Sequence, residues 1–136
     1  MIVPDVPMEE ATGWKEEAHH EGIDWISFIS LQTRSERLKQ IAISAEGFLY
    51  LLSLTGITGA HIHSPEDVRN KAAEIRQHTK IPIALGFGIK SARDALLYRD
   101  RIDAFIVGSK IIELISTTSL TVLETFYKEF CAALKE

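Results

Sequence analysis

Small residues follow two consecutive apolar runs near the end of the sequence. Gly86-Phe87-Gly88 follows one run, and Gly108-Ser109 follows the next. Glycine lets the backbone approach a ligand closely, because it has no Cβ. Successive N–H groups in such a loop can point at one spot, and a helix that begins there adds a favourable dipole. This is the chemistry of phosphate binding.

Each of these loops also has a simpler interpretation. Either one alone could be no more than a tight turn between a strand and a helix. Together they end the last two strands of a strand–helix series, which is where (β/α) barrels bind phosphate. The pair therefore favours a phosphate site over two unrelated turns.

Other polar residues are weaker candidates. Asp5 ends an apolar run and could act as a catalytic carboxylate, although a role in orienting a loop is favoured. His61 and His63 have a spacing that could bind a metal, but no nearby Cys or carboxylate pair completes a tetrahedral set, and no metal is expected. Lys90 and Lys110 follow the glycine loops, but long side chains there usually point to solvent, so neither is assigned to the site.

Strand and helix patterns alternate along the whole sequence. Apolar runs predict strands at residues 2–7, 23–31, 48–52, 81–85 and 102–107. Helical spacing and end signals predict helices at residues 7–21, from Thr33 to just before Gly47, from Ser64, at 91–97, at 110–115, and from Leu120 to Leu134. The runs are almost continuously apolar, which predicts a parallel sheet with both faces covered.

Several helices carry specific signals. Thr33-Arg34-Ser35-Glu36 is a capping-box sequence. Ser64 precedes Pro65, so it should cap a helix that starts with proline, and its buried face should include Val68, Ala72 and Ile75. One face of the last helix is predicted to carry Leu120, Leu123, Tyr127, Phe130 and Leu134.

Composition limits the function classes. The 136 residues are 46% hydrophobic and 25% charged, which suits one soluble domain. A net charge of -4 with interspersed signs argues against nucleic-acid binding. The single cysteine, Cys131, excludes an internal disulfide. No stretch has the roughly 20 apolar residues of a membrane span, and no signal peptide is evident, so a cytoplasmic location is expected.

Four motifs carry a family resemblance. In order they are Ile2-Val3-Pro4-Asp5-Val6-Pro7-Met8-Glu9-Glu10, Tyr50-Leu51-Leu52-Ser53 running on through Thr55-Gly56-Ile57-Thr58-Gly59, Leu85-Gly86-Phe87-Gly88-Ile89, and Ile106-Val107-Gly108-Ser109. Their order and spacing resemble successive motifs of the tryptophan synthase alpha subunit family, and the resemblance covers nearly the whole chain. It implies that residues 1–136 form one partial domain, the C-terminal part of a TIM (β/α)8 barrel from its fourth strand onward.

The resemblance also implies an activity. The family is a lyase of tryptophan biosynthesis that cleaves indole-3-glycerol phosphate to indole and glyceraldehyde 3-phosphate. It passes indole to a beta subunit, which holds the pyridoxal phosphate, so no cofactor is expected in this chain. The family's catalytic glutamate and aspartate lie on the second and third strands and have no counterpart here. This chain alone is therefore expected to be inactive.

Individual roles follow from the same resemblance. The positions that match the phosphate cradle are Gly59, Gly88, Gly108 and Ser109. Phe87 matches a residue beside the indole ring, Tyr50 matches an active-site tyrosine, and Thr58 matches a loop threonine that positions the missing aspartate. Gly56 falls in the stretch that meets the beta subunit. Leu54 and the short connection at residues 61–63 depart from the family pattern, which puts loop closure and coupling to the beta subunit in question.

Alternatives from other classes remain open. The chain could be a half barrel that binds phosphate or docks to a beta subunit without turnover, or a decayed gene product. A half barrel would leave two strand edges and its apolar inner face unpaired. A homodimer that closes the sheet face to face is therefore one expected state, to be tested by light scattering.

Overall fold

The computed structural model describes residues 1–53, 64–86 and 88–135. The helices and strands of these residues alternate along the chain, as the apolar pattern predicted, up to two consecutive helices at its end. In order they are α1 (Thr12–His20), β1 (Ser27–Ser30), α2 (Ser35–Ile43), β2 (Leu49–Leu52), α3 (Pro65–Arg76), β3 (Ile83–Gly86), α4 (Ala92–Leu96), β4 (Ala104–Ile106), α5 (Ser109–Thr117) and α6 (Leu120–Lys135).

The four strands form one parallel sheet in the order β1-β2-β3-β4. One face packs against the helices. Ile29, Leu51 and Leu85 on this face are fully buried, in one cluster with residues of α2, α3, α4 and α6. This helix-covered face holds the sheet together and fixes where each strand ends.

The other face of the sheet is less covered than the sequence predicted. Phe28, Tyr50, Ala84 and Ala104 are aligned across it, and only Ala84 is buried. Phe28 and Tyr50 stack with their ring centroids 5.2 Å apart. Aligned side chains on the inner face of a parallel sheet are typical of barrels, where such residues form layers.

The predicted strand at residues 2–7 is not a strand. Pro4 and Pro7 have no N–H to donate to a sheet, so this segment turns away. Met1, which precedes this segment, is hydrogen-bonded to residues just before β1. The amino group of Met1 donates to the Asp24 carbonyl, and Ile26 N–H donates to the Met1 carbonyl at 2.9 Å. These two hydrogen bonds hold the N-terminus beside the start of β1.

The two predicted caps have different outcomes. At α3, Asp67 N–H donates to Ser64 Oγ at 3.2 Å, so the predicted N-cap at Ser64 is confirmed. Ser64 N–H also donates to the Asp67 carboxylate at 2.9 Å, which completes a capping box. The prediction of a capping box at Thr33 is wrong. Thr33 Oγ1 accepts the N–H of Ser30 at 3.0 Å, so it closes the turn after β1, and α2 begins without a side-chain cap.

The face of α6 also differs from the prediction. Phe130 is buried, and Leu123, Phe126 and Leu134 are partly buried. Leu120 and Tyr127 were expected on this face, but both are exposed. Helical spacing of three or four residues fits either Phe126 or its neighbour Tyr127 on the buried face, and the more apolar ring, that of Phe126, is the one that packs inward.

Within residues 1–53, 64–86 and 88–135, no helix is both long and apolar enough to cross a membrane.

Candidate functional site

A cleft of about 340 Å³ lies at the carboxyl ends of β3 and β4. Its lining residues come from β2, β4, the loop after β3 and the first turns of α5. They are Tyr50, Gly88, Ile89, Lys90, Ile106, Gly108, Ser109, Lys110 and Glu113. Because parallel strands end at the same edge of a sheet, residues far apart in sequence meet in this cleft.

Tyr50 forms one wall of the cleft, and a glycine in the next strand makes room for it. A Cβ added to Gly86 would overlap the ring and hydroxyl group of Tyr50. Glycine is thus needed here for close approach. Burial raises the pKa of the Tyr50 phenol above its ordinary value.

The loop after β3 turns at Gly88, whose φ of 85° is in the left-handed region that favours glycine. The turn leads into α4, and the first turn of that helix is closed by its own side chains. Asp94 N–H donates to Ser91 Oγ at 3.3 Å, and Lys90 N–H donates to the Asp94 carboxylate at 3.0 Å. A carboxylate of the chain itself thus already occupies the start of α4.

The start of α5 is different. Gly108 is its N-cap, and no side chain among the described residues caps it. A Cβ at Gly108 would meet open space, and Gly108 itself lines the cleft. A helix N-terminus carries about half a positive charge on its unsatisfied N–H groups. The first turn of α5 can therefore accept an anion from the cleft.

Two lysines and one glutamate add formal charge to the cleft. Lys110 Nζ lies 2.7 Å from Glu113 Oε1, one helical turn further along α5, while Lys90 follows the Gly88 turn. Sequence reasoning assigned neither lysine to the site. The signal that could have found Lys110 is its place at the second position of a helix that starts at the cleft.

The structure brings together four of the predicted site residues, namely Tyr50, Gly88, Gly108 and Ser109. Asp5 lines another cavity, of about 240 Å³, between the N-terminal segment and α2. The other predicted site residues lie outside the described residues: Gly59, Phe87 and Thr58, together with Leu54, Gly56, His61 and His63. Among the residues described, no three His, Cys, Asp or Glu side chains are grouped so that they could hold a metal ion.

A parallel sheet with alternating helices and a glycine-lined cleft at its carboxyl edge defines part of a (β/α) barrel. The sequence profile of one barrel family, the tryptophan synthase alpha chain, matches residues 1–135. The chain belongs to this family, and the predicted fold class, a C-terminal part of a TIM barrel, is confirmed.

Individual relatives agree. The tryptophan synthase alpha chain of Trichormus variabilis is 39% identical over 99% of this chain and 51% of its own length. The solved structure of tryptophan synthase subunit alpha from Campylobacter jejuni is 33% identical, with a TM-score of 0.82 over 95% of this chain and 52% of its own. That of Mycobacterium tuberculosis tryptophan synthase is 25% identical, with a TM-score of 0.87. The chain spans about half the length of these relatives.

Proposed function

We propose that the cleft binds the phosphate group of a small phosphorylated substrate, as the phosphate half of a site that cleaves indole-3-glycerol phosphate. One observation carries this proposal: the uncapped start of α5 opens onto a cleft that also contains the Gly88 turn. Gly88, Gly108 and Ser109 would cradle the phosphate, with Gly59 as a fourth member. The products of the cleavage would be indole and glyceraldehyde 3-phosphate.

The remainder of the substrate would lie along the Tyr50 wall. Tyr50 is next to Phe28 and above Gly86, so its hydroxyl group is held at the cleft by packing on two sides. By resemblance to the family, Phe87 would lie beside the indole ring and Thr58 would help to close the site. Both assignments rest on the family resemblance alone.

We infer that this chain does not complete the cleavage by itself. The family's catalytic glutamate and aspartate have no matching residues here. General acid and base groups each contribute about 100- to 10,000-fold to rate, and phosphate binding cannot replace them. Glu113 is a carboxylate in the cleft, but its Oε1 is paired with Lys110. A half barrel that binds phosphate, or docks to a beta subunit, without catalysis is the second candidate.

Partners would complete the site and the sheet. We infer that a beta subunit takes up the indole and supplies the pyridoxal phosphate, and that the reaction takes place in the cytoplasm.

The inner face of the sheet is only half covered. Phe28, Tyr50 and Leu52 on this face form a surface that a second half barrel could cover. Association as a homodimer or with a complementary half would bury these residues.

Calorimetric titration of the purified chain with glycerol 3-phosphate, beside an indole-release assay, tests the proposal. We expect binding with a Kd of about 1 mM, no binding of glycerol, and no indole from indole-3-glycerol phosphate. Light scattering of the same sample should give more than the mass of one chain.

The possible failures are distinct. Equal binding of glycerol and glycerol 3-phosphate, or no binding of either, would contradict the phosphate site. Indole release by the chain alone would leave the phosphate site in place and show that the proposed lack of catalysis is wrong.

A further inference from the structure

The ion pair between Lys110 and Glu113 lies in the wall of the cleft. Lys110 Nζ and Glu113 Oε1 are 2.7 Å apart, and both residues line the cleft together with Gly108. The Lys110 side chain is only 26% exposed, whereas that of Glu113 is 60% exposed. The cation is thus held against the protein, while its carboxylate partner faces solvent.

A second lysine–glutamate pair one turn apart provides a comparison. On α6, Lys128 and Glu124 are 3.7 Å apart, and their side chains are 76% and 69% exposed. Such a pair is fully solvated and contributes little. The pair on α5 is closer, and its lysine is better shielded from solvent, so solvent screens its charge less.

Lys110 lies in the first turn of α5, next to the open helix start. Lys110 is the second residue of α5, so its side chain starts in the helical turn that carries the uncapped N–H groups. An anion bound by these groups lies within reach of a lysine from the same turn. The Glu113 carboxylate would then compete with the bound anion for the Lys110 ammonium group.

We propose that Glu113 holds Lys110 until a phosphate monoester dianion displaces it, and that this exchange makes the cleft selective for dianions. The inference rests on the proposed phosphate function. A monoanion can be bound by the helix start while the ion pair stays intact. A dianion carries a second charge, which attracts Lys110 away from Glu113. Glu113 is already largely exposed, so its release into solvent requires no opening of the core.

Methyl phosphate and methyl sulfate at pH 8 are matched probes for this exchange. They have similar shapes, but the phosphate is a dianion, because its second pKa is about 6, and the sulfate is a monoanion. Their affinities are measured for the whole chain and for Glu113→Gln, Lys110→Gln and the double variant. Lys128→Gln and Glu124→Gln make the same charge changes on α6 and serve as controls.

Glu113→Gln is expected to tighten methyl phosphate binding at least threefold and to change methyl sulfate binding less. Lys110→Gln should weaken methyl phosphate binding at least fivefold. The double variant should match Lys110→Gln, because Glu113 acts only through Lys110. Lys110→Arg retains the positive charge and should bind nearly as well as the original chain.

Some outcomes would overturn the inference alone. If methyl phosphate binds but Glu113→Gln does not tighten it, or if Lys110→Gln behaves like Lys128→Gln, the exchange does not occur and the phosphate site stands. If methyl phosphate does not bind the unaltered chain, the proposed function itself fails, and the inference fails with it.

Discussion

The starts of α4 and α5 occupy equivalent places in the fold and are built differently. Each follows the carboxyl end of a strand, and each begins beside the same cleft. At α4, Ser91 and Asp94 close the first turn with hydrogen bonds to backbone N–H groups. At α5, Gly108 offers no side chain, and none of the described residues caps the helix. The fold therefore satisfies one helix start internally and leaves its neighbour open.

In the proposed function, the start of α5 supplies helix N–H groups for the anion, whereas the loop before α4 contributes only its Gly88 turn. A helix that begins with a glycine N-cap is less stable than one capped by Ser or Asp by roughly a few tenths of a kcal/mol. At α5 the Gly108 carbonyl accepts the N–H groups of Ile111 and Ile112, and no side-chain cap is present among the described residues. A bound anion would supply the missing interactions. The proposed site therefore depends on an open helix start that shares one cleft with the Gly88 turn, and not on glycine alone.

The largest expected effect comes from making the two helix starts alike. Gly108→Asp places a carboxylate at the N-cap of α5, where an added side chain meets open space. That carboxylate would occupy the first-turn N–H groups and repel phosphate. Calorimetry should show more than a tenfold loss of affinity for glycerol 3-phosphate, about 1.4 kcal/mol or more, with no loss of thermal stability.

Gly13→Asp is the matched control. It adds the same charge on α1, where a Cβ also meets open space, and should leave phosphate affinity within about twofold of the original. If both variants weaken binding equally, net charge explains the effect and the helix start does not.

A smaller effect, on stability, is expected from removing the side-chain cap of α4. Ser91→Ala removes the hydroxyl group that accepts Asp94 N–H, and should lower the free energy of unfolding by about 1 kcal/mol in urea denaturation. Phosphate affinity should not change, because Asp94 still accepts Lys90 N–H. The control is Ser116→Ala, since Ser116 Oγ only donates to a carbonyl of its own helix. A large loss of phosphate affinity in Ser91→Ala would place the anion at α4 instead.

Local rules predicted most of the secondary structure. Continuous apolar runs that alternate with helix patterns predicted parallel strands. Ser64 before Pro65 predicted the start of α3. Both signals can be recognised from residues close together in sequence. Gly88 and Gly108 were also predicted to lie close together, since parallel strands end at one edge, and both line the cleft. Their binding of phosphate stays a prediction.

The errors have different physical causes. Residues 2–7 are apolar but contain two prolines that cannot donate to the sheet, so apolar character alone misassigned them. Thr33 could have capped α2 or closed the turn after β1, and in the structure its hydroxyl group accepts the N–H of Ser30 in that turn. Lys110 looked like a solvent-facing lysine because its ion pair with Glu113 depends on where α5 begins. Sequence patterns do not settle such competitions between contacts.

The central claim is that the open start of α5 and the Gly88 turn form one anion site. Titration of the ¹⁵N-labelled chain with inorganic phosphate, followed by backbone NMR, tests it most directly. The amides of Gly88, Ile89, Gly108 and Ser109 should shift together along one binding curve. Shifts confined to the arginine-rich surface before β4, around Arg76, Arg99 and Arg101, would contradict the claim.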